Sequence, residues 1–369
     1  MSRNFAIFAI MAAIKLKRPT ATRDTRPDIR RLSLEELTET LKNWGEKAFR
    51  AKQVYHWLWQ RSATDFTDMT NLSKALRERL EEAFVLRPVQ VQKQQKSNDG
   101  TIKLGLRLHD GHLVEGVLIP VPADKRMTAC ISSQVGCSLS CSFCATGFLP
   151  KKRNITAAEI YDQVVLINRI AEETYGQPLT NIVYMGMGEP LLNYREVLRS
   201  AELLTSPDGL NMSPRRLTVS TAGIAKMIRK LGEDEVKFNL ALSLHAADDT
   251  KRNEIMPIND TNNLEVLREA LKFYFQRTKN PVTYEYIALN NFNDSRQDAE
   301  ALLRFTKHLP CKINVIEYNP VEGTDFSRTD EQRLDRFVGY LRKGGARVTV
   351  RRSRGKDIDA ACGQLANKD

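Results

Sequence analysis

Between about Asp28 and Phe84 apolar residues recur at helical spacing: Leu34, Leu37 and Leu41 share one face, Val54, Trp57 and Leu58 follow, and Leu72, Leu76 and Leu80 close the run. The pattern predicts a small helical accessory domain over residues 28–95. Trp44, Trp57 and Trp59 fall inside it; aromatic rings can stack on nucleic-acid bases, but at helical spacing they are expected in the core. A polar stretch over residues 90–100 leads into two strand-like segments, 101–108 and 112–120, joined by Asp110-Gly111, the signature of a tight hairpin. A β-hairpin extension is therefore expected over residues 96–124.

Past Lys125 short apolar strands alternate with capped helices. The first strand, 127–133, precedes a helix from Ala157 that opens on the capping box Thr156-Ala157-Ala158-Glu159. Strands at 181–185, 216–220, 237–244, 282–289 and 312–318 are each followed by a helical pattern, the last capped by Thr329 and Gln332 and closed by Gly344-Gly345. Six β/α units in series predict an α/β fold, a parallel sheet curved into a partial (β/α)6 barrel over residues 125–350. A seventh strand, 347–352, leads into a C-terminal segment, 351–369.

The remaining residues, 1–27, carry an apolar run, 5–14, followed by Lys15, Lys17 and Arg18. The run is shorter than the ~20 apolar residues that span a bilayer, and basic residues stand where a small-residue cleavage site would follow. A disordered or interfacial extension, or translation from Met11 or later, is expected instead of export. The chain is long enough, at 369 residues with 41% hydrophobic, to fill a core, which argues against disorder. Lysine and arginine number 56 against 45 acidic residues, and the net charge of +11 favours a polyanionic partner such as nucleic acid. Six cysteines are too few for a disulfide scaffold. Three of them, Cys137, Cys141 and Cys144, crowd one segment, the pattern of metal ligation by reduced thiolates in a cytoplasmic protein.

Those three cysteines follow the first barrel strand, at the mouth where barrel active sites collect. Three thiolates can hold three irons of a [4Fe–4S] cluster and leave the fourth open, whereas structural zinc needs a fourth protein ligand, and none stands nearby in the sequence. The CxxxCxxC spacing resembles the signature of the radical S-adenosylmethionine (SAM) superfamily. The resemblance implies that the open iron chelates the methionine end of SAM and that one electron from the cluster generates a 5′-deoxyadenosyl radical. Met185-Gly-Met-Gly188-Glu189-Pro190, after the second strand, resembles that superfamily's GGEP-type motif, in which glycine backbone and a carboxylate meet the SAM ammonium. Along 237–245 the polar set Asn239, Ser243 and His245 shares one face at period two, expected to be the barrel lumen. By resemblance Ser220, Ser243, Leu244, His245 and Asn319 are further SAM contacts.

Cys362, in Asp359-Ala-Ala-Cys362-Gly-Gln, and Cys130, on the first strand, extend the likeness over nearly the whole chain. From about Asp28 onward it resembles the RlmN family of dual-specificity RNA methyltransferases. This implies methylation of adenine C2 in 23S rRNA, in the peptidyl-transferase region, and in tRNA at position 37, with two SAM consumed per methyl group. Cys362 would carry the methyl group, become covalently joined to RNA, and be released by Cys130 through a transient disulfide; Glu115 matches the family's proton acceptor, although most strand carboxylates simply face water. C2 is an electron-poor carbon with no lone pair to attack SAM directly, which is why a radical route is needed. Cys311 has no such match and reads as a buried apolar residue. Lys151-Lys152-Arg153, Arg215-Arg216 and the run Lys343, Arg347, Arg351, Arg352, Arg354 are expected to meet phosphates around the mouth. A monomer reduced by a partner such as flavodoxin and its reductase is implied as well. The rival readings are the related C8-adenine rRNA methyltransferases and a non-catalytic iron–sulfur RNA-binding protein, the latter needing neither Cys362 nor Glu189.

Overall fold

The computed structural model describes residues 24–367. Ser33 caps α1 (Leu34–Asn43) in a reciprocal box with Glu36. With α2 (Phe49–Trp59) and α3 (Lys74–Ala83) it forms a helical unit whose core contains Leu37, Leu41, Val54, Leu58, Leu76 and Leu80. Trp59 is fully buried, and Trp44 and Trp57 pack half-buried against the same core. Polar contacts dock the unit: Arg30 pairs with Asp162 at 2.8 Å, Arg199 donates to the carbonyls of Arg30, Arg31 and Leu32, the Tyr161 hydroxyl donates to the Trp59 carbonyl, and Gln60 Nε2 donates to the Pro207 carbonyl at 2.6 Å. Most of the expected disordered extension, residues 1–23, lies outside the described residues. Its last four residues are ordered: Arg87 donates to the carbonyls of Asp24 and Arg26, and the Val85 N–H to that of Pro27.

The polar stretch after the helices contains a strand that its pattern did not announce. β1 (Gln90–Lys96) pairs antiparallel with β2 (Ile102–Arg107), which pairs across the Asp110-Gly111 turn with β3 (Leu113–Val121). Nearly every β1 side chain faces water, so no apolar alternation marks it; backbone bonding to β2 holds it at the sheet edge.

β4 (Arg126–Cys130) runs antiparallel to β3 and begins the parallel part of the sheet. After it, β5 (Gln134–Val135) and β6 (Arg153–Asn154) pair and bracket the cysteine loop. α4 (Ala157–Tyr175) starts at the Thr156–Glu159 box, as expected. Then come β7 (Asn181–Tyr184), α5 (Tyr194–Thr205), β8 (Leu217–Thr221), α6 (Ala225–Glu233), β9 (Asn239–Ser243), α7 (Asp249–Ile255) and α8 (Leu264–Thr278). β10 (Val282–Ala288), α9 (Arg296–Thr306), β11 (Cys311–Glu317), α10 (Glu331–Lys343) and β12 (Val348–Arg351) complete the series. The N-cap of α10 is Asp330, not Thr329, whose hydroxyl instead donates to Asp294 at 2.9 Å.

The ten strands lie in the order β1-β2-β3-β4-β7-β8-β9-β10-β11-β12, parallel from β4 onward. Parallel neighbours taken in chain order, each joined by a right-handed crossover, put the helices on one side and leave a concave face on the other. β1 and β12 are not paired with each other, so the barrel is open, as the six-unit pattern predicts. Beyond β12 the chain returns toward the hairpin: Gly355 N–H donates to Asp99 at 2.9 Å, and Asp357 accepts from Ser97 and Asn98.

Candidate active site

A parallel sheet gathers the carboxyl ends of its strands at one mouth, where their unpaired polar groups face a ligand. An open cleft lies there, lined from strands β4, β7, β8, β9 and β10 and from residues 360–363 of the C-terminal segment. Cys137, Cys141 and Cys144 all face it. Their loop is tightly folded: Cys144 N–H donates to the Cys141 carbonyl at 3.2 Å, Cys137 N–H to Leu149 at 3.2 Å, and Ala145 N–H to Gly363 at 2.8 Å. Gly147 is required, because a Cβ there would lie 2.6 Å from the Cys141 carbonyl oxygen.

Burial pushes all three thiols up, Cys144 to about 11, and at Cys141 the neighbouring Cys144 and Cys137 add to it. Close thiols that resist ionisation alone suit a positively charged cluster, so the donor set fits a [4Fe–4S] group with one open iron. His245 does not complete a zinc site. Its ring meets Phe143 edge-on with centroids 4.7 Å apart, but Nδ1 accepts the Ile287 N–H at 3.1 Å, which leaves the proton on Nε2. Burial, with Arg252 nearby, lowers the ring's pKa to about 3, so it is a neutral donor at the cleft wall.

Glu189 is held in place by its own turn. Its carboxylate accepts from Leu191 N–H at 3.0 Å and Ala222 N–H at 2.8 Å, and its N–H donates to Gln134 at 2.9 Å. Gly188, at φ +93°, allows that approach, since a Cβ would sit 2.4 Å from Gln134 Cβ. Burial raises Glu189 to about 7, a strain that a ligand ammonium would relieve. Ser220, Ser243 and His245 line the cleft from successive strand ends. Leu244 is a core side chain, and only its backbone takes part, donating to the Glu285 carbonyl at 3.0 Å. Asn319 is not among the residues lining the cleft; it donates to the Cys362 carbonyl at 3.2 Å, and its buried Oδ1 accepts from none of the described residues.

Cys130 and Cys362 line this same cleft, from the first parallel strand and the C-terminal segment. The six cysteines are free thiols, so the expected disulfide is not formed and the pair stands reduced. Burial raises Cys130 to about 12; Cys362 is exposed at the cleft, and the desolvation that raises it as well comes from the cleft walls around it, while the Arg351 charge draws both down. Arg351 is fixed by Glu285 at 3.4 Å, and Glu285 by Asn314 at 2.8 Å. Glu115 is buried and does not line the cleft; it pairs with Lys103 and accepts from Ala366 and Asn367 N–H groups. Cys311 is half-buried outside the cleft, near the Thr306 carbonyl at 3.6 Å.

Several residues escaped the sequence. Arg252 bridges the loops after β8 and β9, donating to Ala222 at 2.6 Å and Leu244 at 3.1 Å, and nothing in its helix marks it. Arg351, expected among the phosphate-binding cations around the mouth, enters the cleft itself. That basic run divides in two: Arg352 pairs with Glu317 and Glu331 and Arg354 meets the Asp99 carbonyl, whereas Lys343 and Arg347 precede β12 at the far end of the sheet. Arg215 and Arg216 likewise precede β8, one strand length, about 17 Å, from the mouth. Arg153 is bound to Asp110 and Glu159, which leaves exposed Lys151 and Lys152 from the expected rim.

Residues 28–86 match the Ribosomal RNA large subunit methyltransferase N-terminal domain, and residues 131–305 the Radical SAM superfamily. A probable dual-specificity RNA methyltransferase RlmN of Cytophaga hutchinsonii is 59% identical over 350 residues, covering 95% of each chain. Its counterpart in Christiangramia forsetii is 52% identical over 346 residues, 94% of this chain and 98% of the relative. The crystal structure of a radical SAM methyltransferase from Sphaerobacter thermophilus superposes with a TM-score of 0.87 at 41% identity, over 93% of this chain and all of that one. The chain belongs to the RlmN family of the radical SAM superfamily.

Proposed function

We propose that this chain methylates C2 of an adenine in 23S rRNA, in the peptidyl-transferase region, and in tRNA at position 37, with Cys362 as the methyl carrier. The observation that carries this reading is that Cys130 and Cys362, far apart in the chain, share one cleft with the three cluster cysteines. Cys137, Cys141 and Cys144 would hold a [4Fe–4S] cluster, which together with SAM would supply one-electron chemistry and the methyl group. Glu189 pairs the SAM ammonium, while Ser220, Ser243, His245 and Asn319 orient the rest.

Cys362 loses its proton, with Arg351 favouring the thiolate, and its Sγ would displace the methyl carbon of one SAM: the Sγ–C bond forms, the sulfonium S–C bond breaks and S-adenosylhomocysteine leaves. That carbon would be joined to C2 after a hydrogen atom is taken from the S-methyl group by the SAM-derived radical; once the adduct has returned one electron, Glu115 takes the C2 proton. The Cys130 thiolate then attacks Cys362 Sγ: the S–S bond forms, the S–C bond breaks, and its electron pair stays with the carbon, which a proton completes as a methyl group. Two electrons from outside return the disulfide to thiols.

The adenine must leave its stack to reach the cleft, and the helical unit with Lys151 and Lys152 is placed to grip the RNA. Six free thiols suit the reducing cytoplasm, and no helix among the described residues is long and apolar enough to cross a membrane. We take the chain to act as a monomer, reduced by a flavodoxin-type partner. Anaerobic reconstitution with iron, sulfide, SAM, reductant and ribosomal RNA, followed by digestion and mass spectrometry, tests the reading. 2-Methyladenosine supports it; 8-methyladenosine, or no methylated base, rejects it.

A further inference from the structure

Cys362 lies on a segment without regular structure, yet the chemistry requires its Sγ to meet one small carbon. The hairpin supplies two buried charges to that segment. On β2, Lys103 is 6% exposed and its Nζ lies 3.4 Å from Glu115 Oε1 and 3.4 Å from the Asp359 carbonyl, three residues before Cys362. On β3, Glu115 is 4% exposed and its Oε2 accepts from Ala366 N–H at 2.8 Å and Asn367 N–H at 3.2 Å, just past Cys362. The strands themselves are rigidly registered, Gly105 opposite Glu115 and Lys103 opposite Val117.

We propose that Lys103 and Glu115 form a clamp that grips both flanks of Cys362, making Lys103 a positioning residue for methyl loading of that thiol. A buried cation and carboxylate tolerate desolvation only when paired and fully bonded, and here the segment's backbone completes the bonding of both. Closing the segment therefore satisfies the pair, and the pair in turn fixes the segment. Other bonds align the middle, from Thr146 to the Leu365 carbonyl at 2.6 Å and from Asn319 to Cys362 at 3.2 Å, whereas the clamp holds both flanks from a single ion pair. Both Glu115 oxygens are engaged while the clamp is closed. Acceptance of the C2 proton by Glu115 thus belongs to an opened state, which separates methyl loading from the RNA step. The inference rests on Cys362 being the methyl carrier.

The test uses the reconstituted full-length enzyme, comparing wild type with Lys103→Met, Lys103→Arg and Glu115→Gln. Amide hydrogen exchange at Ala366 and Asn367 reads the clamp, and mass spectrometry of the Cys362 peptide after incubation with SAM, without RNA, reads methyl loading. Lys103→Met should cut protection of those amides by roughly tenfold or more, leave the amides of β8 to β10 unchanged, and slow loading in parallel. Lys103→Arg should restore both, while Glu115→Gln, which keeps an acceptor but loses the ion pair, should fall between. Unchanged protection in Lys103→Met and in Glu115→Gln would overturn the clamp, as would an equal loss across the whole sheet. Should wild-type enzyme fail to load Cys362 while its amides still respond to Lys103→Met, the clamp stands and the carrier role fails.

Discussion

Removing the Arg252 guanidinium tests how the SAM side of the cleft is held together. Arg252 is fully buried and donates to Ala222 O at 2.6 Å, Leu244 O at 3.1 Å and Asn259 Oδ1 at 2.6 Å, joining the loops that follow β8 and β9 to the helix α7. Methionine fills most of the space of its stem, so the cavity cost is small. The Ala222 carbonyl and Asn259 Oδ1 are then buried without donors, at about 1–3 kcal/mol each, while the Leu244 carbonyl keeps the Ala246 N–H at 2.7 Å. Asn259 Nδ2 keeps its bonds to Asp249 and Asn253, so the loss at this residue is confined to its Oδ1. The sum for Arg252→Met is about 2–6 kcal/mol. A functional effect follows, because Ala222 N–H supports the Glu189 carboxylate at 2.8 Å. Urea unfolding of the cluster-free chain should show the loss, and titration of the reconstituted enzyme should show SAM binding weakened about tenfold, the equivalent of roughly 1.4 kcal/mol. A cost under about 0.5 kcal/mol, the range of an ordinary surface change, with SAM affinity intact would refute this account of the loops.

Replacing Cys137, Cys141 and Cys144 together by alanine should abolish the brown chromophore and SAM cleavage; iron retained in that variant would remove the basis of the cluster assignment. Gly188→Ala forces a Cβ to within 2.4 Å of Gln134 and should lower the melting temperature by several degrees, as a loss of 1 kcal/mol or more does. Glu189 is raised from 4.5 to about 7 in the folded chain, so it contributes most to stability below pH 4.5 and that contribution is lost as pH rises through 7. Glu189→Gln should flatten this fall in the ligand-free, cluster-free protein, and an unchanged pH–stability curve would count against it. Arg351→Met removes a charge that draws the Cys362 thiol down, so the pH profile of Cys362 methylation should move upward.

The strand ends were legible because each parallel strand is an apolar run that stops at a polar residue, and the cysteine spacing marked which mouth is used. β1 was not legible, since Gln90–Lys96 is polar throughout and owes its strand to backbone pairing with β2. Arg351 and Lys103 look like any surface cations in the sequence; only the approach of Glu285 and Glu115 from other strands buries them. Glu115 reads in the sequence as a strand carboxylate facing water, and the C-terminal segment buries it by folding back onto it. The basic residues misled for a related reason: sequence neighbours on either side of a strand stand at opposite ends of the barrel, so Arg347 and Arg351 cannot serve the same mouth.

The central claim, that Cys362 carries the carbon and Cys130 releases it, is tested most directly by the covalent state of Cys130→Ala. Without the resolving thiol nothing displaces the RNA carbon from Cys362 Sγ. Protein purified from cells should carry covalently bound RNA, reduced by nuclease to a nucleotide mass on the Cys362 peptide, and Cys362→Ala should carry none. Normal turnover by Cys130→Ala, or a nucleotide mapped to Cys311, would contradict the account.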